Sequence, residues 1–183
     1  MKILLNGAQG TGKSSIVKHY YTNLSKIDSI SKIFMSNKEI QTDINNIDFI
    51  DFEYKITLYH LNNIINVDKF ICSRGLADSY AYITYAYENS NNFNVKLAMS
   101  ELLLLLERYI YIAKKMNIKH IYVPIKFKIN QSNNNLRVVD EQYQIDIDSR
   151  IQKFFEEYKI DYRELNSISI DERIEEIMNY ANC

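Results

Sequence analysis

Cysteine, proline and long apolar runs are scarce in this sequence of 183 residues. Its two cysteines, Cys72 and Cys183, are too few for a disulfide framework or a four-cysteine zinc site. The longest apolar run, residues 102–106, is far shorter than the roughly 20 residues that a membrane-spanning helix needs. No targeting segment is visible at the N-terminus. We therefore expect a cytoplasmic protein without a membrane partner.

An excess of positive charge is also missing. The chain has 22 Lys and Arg against 23 Asp and Glu, a formal net charge of -1. Proteins that bind nucleic-acid backbone usually carry a clear positive excess, so a nucleic-acid partner is not favoured. Hydrophobic residues make up 46% and charged residues 25%, which is typical of a folded globular chain. The length predicts a single domain spanning residues 1–183, and nothing in the sequence indicates its oligomeric state.

Short apolar runs alternate with segments of helical periodicity along most of the chain. Such alternation is typical of a parallel sheet whose crossover helices cover both faces. The sequence therefore predicts a three-layer α/β fold with a five-stranded, mostly parallel sheet. The predicted strands are residues 2–5, 33–35, 70–72, 118–123 and 162–165, and the predicted helices run from the glycine-rich loop to Leu24, over residues 47–65, 78–87, 96–116 and 143–158, and from Ser169 onward.

Glycine is rare, yet three of the four glycines fall within six residues directly after the first predicted strand. The segment Gly-Ala-Gln-Gly-Thr-Gly-Lys-Ser satisfies G-x-x-x-x-G-K-[ST] and precedes a predicted helix, as a phosphate-binding loop does. Glycines let consecutive backbone N–H groups turn toward one anion at the positive end of the helix dipole. We expect the loop to bind ATP through Gly7, Gln9, Gly10, Thr11, Gly12, Lys13, Ser14 and Ser15.

Two of these residues have a more specific expected role. Lys13 places a positive charge on the β- and γ-phosphates and is a candidate catalytic residue. Ser14 follows it, and its hydroxyl is the predicted protein ligand of a Mg²⁺ ion that bridges the same phosphates. The loop fits ATP or GTP and leaves the second substrate open.

The segment Cys-Ser-Arg-Gly-Leu-Ala-Asp-Ser-Tyr-Ala-Tyr, residues 72–82, stands at the end of the third predicted strand. Together with the loop, it resembles a family of P-loop kinases that includes nucleoside and nucleotide kinases and the ribosylnicotinamide kinase domain. Its members carry Asp-Arg-Ser, an Asp four residues after the Arg, and then Ala-Tyr. The resemblance implies a P-loop NTPase fold, in which Arg74 contacts the substrate or the transferring phosphate while Asp78 and Tyr82 lie near the acceptor.

The same resemblance extends to a small lid at about residues 125–142. Tyr-Val-Pro at residues 122–124 and Leu-Arg-Val-Val-Asp at residues 136–140 match the family's fourth strand and its lid with one arginine. Arg137 would then close over the phosphates. An arginine there fits the chemistry, since phosphoryl transfer is accelerated by neutralising charge on the equatorial oxygens.

The sequence departs from the family pattern at two acidic positions. Ser73 stands where the family has the Asp that helps to hold Mg²⁺, and Ser36 and Lys38 stand where an acidic residue and an Arg are common after the second strand. A serine hydroxyl cannot supply the charge that a hard cation prefers. The missing carboxylate is left open among three candidates, Glu39, Asp51 and Glu53.

These observations favour an ATP-dependent phosphotransferase that uses Mg²⁺ and acts on a nucleoside, a nucleotide or a related small hydroxyl compound. Its catalytic residues are expected to be Lys13, Arg74, Asp78 and Arg137. Asp78 is the best candidate for orienting the acceptor hydroxyl, although an Asp in the first turn of a helix is also common for the dipole alone. The alternatives are a catalytically altered nucleotide-binding regulator, which the missing carboxylates suggest, and a kinase of a modified base within DNA.

Overall fold

The computed structural model describes residues 1–20, 23–27, 43–126 and 140–182. In these ranges, it has five strands and six helices. None of the helices in the described ranges is long and apolar enough to cross a membrane. The elements follow in the order β1 (Lys2–Asn6), α1 (Lys13–His19), β2 (Ser25–Ile27), α2 (Asp48–Asn66), β3 (Phe70–Cys72), α3 (Leu76–Asn89), α4 (Phe93–Ala113), β4 (Ile118–Tyr122), α5 (Glu141–Tyr158), β5 (Tyr162–Glu164) and α6 (Ile170–Asn182).

The five strands form one sheet in the order β2-β3-β1-β4-β5, and every neighbouring pair is parallel. The central strand β1 pairs Leu4 with Cys72 of β3 and Asn6 with Tyr122 of β4. The carboxyl ends of these three strands therefore meet at one edge of the sheet, where ligands of open α/β sheets bind. This confirms the predicted three-layer α/β fold.

Alternate residues of β1 belong to two hydrophobic cores, one on each face of the sheet. Ile3 and Leu5 pack with buried residues of α1 and α6 on one face of the sheet, whereas Leu4 packs on the other face with residues of α2, α3, α4 and α5. A strand covered on both faces has no polar side, which explains why the sequence shows a continuous apolar run there.

Helix ends follow local capping chemistry. Asp140 precedes α5 and accepts hydrogen bonds from the amides of Gln142 and Tyr143, at 2.9 and 3.2 Å. Ser169 and Glu172 form a capping box at the start of α6, with each side chain accepting from the other's backbone N–H, at 3.3 and 3.4 Å. These side chains satisfy amides that a helix leaves unpaired at its start.

The second strand is the main difference from the sequence-based expectation. The structure places β2 at Ser25–Ile27, whereas the predicted strand 33–35 lies outside the described residues. Only Ile27 of β2 is buried, because the strand lies at the edge of the sheet. A strand with one buried residue has no period-two pattern to detect.

Candidate active site

The phosphate loop joins the end of β1 to the start of α1. Gly10 and Gly12 have φ angles of 83° and 94°, in the left-handed region that glycine enters without strain. The Thr11 hydroxyl donates to the Ala8 carbonyl at 3.0 Å and closes the loop from inside. A Cβ on Gly7 would collide with the Val123 carbonyl, so the loop lies directly against the end of β4.

Lys13 folds back into this loop. Its Nζ donates to the carbonyls of Gly7 and Ala8, the latter at 2.9 Å, and forms an ion pair with Asp78 Oδ1 at 3.2 Å. The side chain is 11% exposed. Burial lowers the pKa of the Lys13 ammonium, and the nearby Asp78 carboxylate opposes that shift. The Lys13 ammonium is thus held inside the loop that the sequence predicts to bind phosphates.

Asp78 links three parts of the site. It is 1% exposed, and one carboxylate oxygen accepts from the amide of Gly75 at 3.0 Å, which caps the start of α3. The other oxygen faces Lys13 and the Gly7 amide, at 3.2 and 3.4 Å. Asp78 therefore caps α3, as the helix-terminus interpretation predicts, and it also contacts Lys13 of the phosphate loop, while its role toward an acceptor hydroxyl stays a prediction.

Arg74 follows β3 and lies beside the same loop. Its guanidinium is 4.7 Å from the centre of the Tyr82 ring, a cation–π distance. The Tyr82 hydroxyl donates to Gln9 Oε1 at 3.0 Å. The structure therefore connects Arg74, through Tyr82, to the phosphate loop, and brings together the residues that the sequence predicts from two separate motifs.

Helix α5 contributes contacts that the sequence does not reveal. Gln144 donates to the Gln9 carbonyl at 2.6 Å. Asp148 accepts from the Tyr122 hydroxyl at 2.6 Å and from Gln152 at 3.1 Å, while its Oδ1 has no partner in the described part of the chain. Burial raises the pKa of the Asp148 carboxyl, and Lys13 is among the groups that oppose the rise. Asp148 is thus a second carboxylate facing the loop.

Arg173 of α6 supports the loop from the other side. Its Nη1 donates to the Thr11 carbonyl and its Nε to the Ser167 carbonyl, both at 2.9 Å. Because residues 11 and 173 are 162 positions apart, spacing in the sequence gives no hint of this contact. Arg173 fixes the loop to the first turn of α6.

The remaining predicted residues are placed as follows. Ser14 and the exposed Ser15 lie in the first turn of α1. Arg137, Glu39 and most of the predicted lid lie outside the described residues, which exclude 28–42 and 127–139.

The two described candidates for the missing carboxylate differ. Asp51 is 68% exposed and pairs with Lys55 at 2.5 Å, so it does not belong to the site. Glu53 is buried beside Arg74, and burial raises its pKa to about 7. Across the described ranges, no three His, Cys, Asp or Glu side chains cluster as a metal site would require.

A G-x-x-x-x-G-K-S loop that joins the central strand of an all-parallel sheet to a helix defines a P-loop nucleotide-binding fold. No family model and no curated protein matches the chain. Solved structures do resemble it, among them those of deoxyadenosine kinase from M. mycoides.

The structural similarity extends over nearly the full length of both chains. The complex with dCTP has a TM-score of 0.60 and 16% identity, covering 100% of this chain and 99% of that one. The complex with dATP has a TM-score of 0.57 and 15% identity, covering 100% of both chains. The complex with dCMP and dCDP has a TM-score of 0.55 and 16% identity, covering 100% and 98%. Likeness at this identity establishes a shared fold.

Proposed function

We propose that the protein is an ATP-dependent phosphotransferase acting on a nucleoside, a nucleotide or a related small hydroxyl compound. One observation carries the proposal: Lys13 lies inside a complete phosphate loop, at the same sheet edge as Arg74 and Asp78. Phosphoryl transfer needs little beyond positioning and charge neutralisation, and these groups supply both. The acting unit is a single domain, residues 1–183, with a lid at about 125–142.

The phosphoryl donor, ATP, would bind at the phosphate loop. Backbone amides of the glycine-rich segment and the N-terminus of α1 bind the phosphates, and Lys13 neutralises charge on the β- and γ-phosphates. The donor set fits Mg²⁺ held mainly by the phosphates, because Ser14 offers one hydroxyl in the first turn of α1 and Asp148 is a buried carboxylate close to Lys13 and Ala8 of the loop. Mg²⁺ would supply further neutralisation of the transferring group.

Arg74 and Asp78 would act on the acceptor side of the γ-phosphate. Arg74 approaches from the end of β3 and would stabilise the transferring phosphoryl group together with Arg137 of the lid. Asp78 would position Lys13 and the loop, since both of its oxygens face donors of the protein. Its direct role in orienting the acceptor hydroxyl stays a prediction.

The structural neighbours support a nucleoside or nucleotide as acceptor. The M. mycoides protein is a deoxyadenosine kinase, and its structures contain dATP, dCTP, or dCMP with dCDP. A shared fold over the whole chain, with a phosphate loop and an arginine after β3, favours the same class of chemistry here.

The test is phosphoryl transfer from labelled ATP or GTP to a panel of nucleosides, nucleoside monophosphates and oligonucleotides. We expect transfer to a small acceptor that Lys13→Ala abolishes. Lys18→Ala is the matched control, since it removes an exposed lysine from the same helix. Nucleotide binding without transfer to any acceptor would favour the regulator, and transfer only to oligonucleotides would favour the kinase of a modified base in DNA.

A further inference from the structure

Helix α4 carries a stripe of large apolar side chains along one side. Phe93, Leu97, Leu104 and Tyr111 follow one another at intervals of four and seven residues, so they share one face of the helix. All four are exposed, Phe93 at 76% and Leu104 at 61%. The opposite face of α4 supplies the core, at positions such as Leu102. The stripe is therefore not used by the fold of the domain.

The neighbours of α4 show that the stripe points away from the domain. On one side, Lys114 Nζ donates to the Tyr158 carbonyl of α5 at 2.6 Å, and the Tyr158 hydroxyl donates to Glu107 at 3.4 Å. On the other side, burial and then the nearby Glu101 carboxylate raise the pKa of Tyr54 on α2. The stripe lies between these two sides and faces outward.

Helices α2 and α4 lie side by side and run in the same direction. Just before they begin, the Asn92 side chain donates to the Asn45 carbonyl at 2.8 Å. Nine residues later in each segment, Tyr54 lies near Glu101. An equal advance along both helices requires axes that run the same way. The same offset therefore aligns the rest of the two helices.

This offset extends the apolar surface from α4 to α2. Leu58 and Ile65 follow Tyr54 by four and eleven residues, so they share its side of α2. Ile112 follows Glu101 by eleven residues, and the offset places it beside Ile65. Leu58, Ile65 and Ile112 are all exposed. We call these three residues, together with the stripe on α4, the outer apolar face.

The outer apolar face is large for a protein that acts as a monomer. Two adjacent helices, each about 30 Å long and about 10 Å wide, offer a footprint of about 600 Å². Monomeric soluble proteins rarely expose apolar patches larger than a few hundred Å². Two such footprints reach the lower end of the roughly 1,200–2,000 Å² that specific interfaces bury. An identical face on a second copy therefore has the area needed to cover it.

The charges beside the stripe favour a second copy over an unrelated partner. Glu101 and Arg108 are exposed on the same side of the stripe and flank Leu104. Neither belongs to an ion pair in the described part of the chain. If two α4 helices cross antiparallel with both Leu104 side chains at a two-fold axis, Glu101 of each copy lies within one residue of Arg108 of the other. Leu97 of each copy then lies opposite Tyr111 of the other.

We propose that the protein forms a homodimer through the outer apolar face, with α4 of one copy packed antiparallel on α4 of the other. A two-fold interface needs a patch that is complementary to itself, and this one matches apolar stripe to apolar stripe and Glu101 to Arg108 twice. The phosphate loop, Arg74 and Asp78 lie outside the face, so each copy keeps its own site. Dimerisation and the proposed function are therefore separate claims.

Analytical ultracentrifugation of the full-length protein tests the dimer. Between about 1 and 100 μM, a range that brackets micromolar affinity, we expect the mass to rise to that of two chains. Leu104→Glu should raise the dissociation constant of the dimer about 100-fold or more, because it removes an apolar contact and places two like charges at the axis. Ile168→Glu is the matched control, since Ile168 is 62% exposed outside the face, and it should leave the dimer unchanged.

Charge exchange tests the antiparallel geometry. Glu101→Arg and Arg108→Glu each replace two attractive pairs with two repulsive ones and should raise the dissociation constant about tenfold or more. The double variant, Glu101→Arg with Arg108→Glu, restores both pairs in exchanged form and should return the constant to within about threefold of wild type. A head-to-tail contact does not bring these two side chains together twice, so it predicts no such recovery.

Melting temperature and ATP affinity of each variant report whether it is folded. A wild-type protein that stays monomeric at every concentration overturns the proposal, as does a dimer that Leu104→Glu leaves intact or a folded double variant without recovery. Monomeric protein that binds phosphatidylcholine vesicles through Leu104 would assign the face to a membrane and also overturn it. If Leu104→Glu does not fold, the charge exchange decides.

Discussion

At the scale of single residues, the proposed role of Arg74 in the reaction can be tested directly. Its guanidinium lies on the Tyr82 ring, and Tyr82 is bonded to the phosphate loop. We expect Arg74→Ala to lower kcat by about 100-fold or more with little change in ATP affinity, as loss of a transition-state contact does. Steady-state kinetics beside ATP titrations measure both, and Arg108→Ala, an exposed arginine on α4, is the control. Unchanged turnover would remove Arg74 from the mechanism.

Glu53 carries a prediction about the pH dependence of stability. Its pKa is about 7 in the folded protein against 4.5 ordinarily, so the folded state binds more protons than the unfolded state between these values. Stability that is present below pH 4.5 is therefore lost as the pH rises to about 7. Glu53→Gln removes this loss and should stabilise the protein by about 2–3 kcal/mol at pH 8, with no gain below pH 4.5.

Urea unfolding at pH 8 and at pH 4.5 measures the effect of Glu53→Gln. Asp51→Asn removes the same charge from an exposed position of the same helix and should show no such difference between the two pH values. Equal stability of wild type and Glu53→Gln at pH 8 would mean that Glu53 titrates normally in the folded protein.

At the scale of elements, α6 depends on its capping box. Ser169→Ala removes the side chain that accepts from the Glu172 amide and should cost about 1 kcal/mol of stability. The effect should extend to nucleotide affinity, because Arg173 of the same first turns bonds to the loop. Ser100→Ala is the control, since Ser100 lies within α4 and donates only to its own helix. Chemical denaturation and ATP titration of both variants test this.

The phosphate loop depends on one glycine conformation at its junction with α1. Gly12 has a φ of 94°, and a Cβ there would lie 3.2 Å from Arg173 Nη1. Gly12→Ala should therefore strain the loop by about 1–2 kcal/mol and lower ATP affinity at least tenfold. ATP affinity equal to wild type would show that the loop adopts another conformation when it binds nucleotide.

The elements that the sequence predicts best are those whose pattern is local. The helix α2, the strand β3 and the phosphate loop each follow from consecutive residues. The strand β2 was missed, since two of its three residues are exposed at the sheet edge. The buried Glu53, Thr57 and His60 of α2 leave a weak signal, three polar residues at helical spacing, but the pattern alone does not show that they are buried.

At the scale of the whole molecule, two buried histidines oppose folding in acid. Burial lowers the pKa of His60 to about 3 and that of His120 to about 4, from 6.5. The unfolded chain therefore binds more protons than the folded one below pH 6.5, and stability falls as the pH falls. Each histidine lowers the free energy of unfolding by about 1.4 kcal/mol for each pH unit of acidification below pH 6.5. Glu53 raises the free energy of unfolding by about the same amount per pH unit as the pH falls from 7 to 4.5.

These three groups together contribute a loss of about 1.4 kcal/mol of stability for each pH unit between 6 and 5, which urea unfolding measures by comparing wild type with Glu53→Gln. In Glu53→Gln the opposing contribution is gone, so the slope should about double. A stability that is flat over this range in both proteins would contradict the burial of the two imidazoles.

The fold was predictable as a whole, and the complete site was not. The alternation of elements predicted an α/β sheet, which the structure confirms, and the loop motif predicts where a nucleotide would bind. Contacts such as Arg173 to Thr11 and Tyr122 to Asp148 join distant residues and exist only once the layers are packed. Glu53 likewise comes to lie beside Arg74 only through packing, which explains why the missing carboxylate could not be chosen by spacing.

The ion pair between Lys13 and Asp78 has a consequence for turnover. In the proposed function, an arriving triphosphate would meet an ammonium whose charge is already balanced within the protein, so it would exchange one anion for another. The net affinity would be smaller than an unpaired lysine gives, because the first partner must be separated. The Asp78 carboxylate would pair with the ammonium again when the diphosphate leaves, which would shorten the residence time of the product.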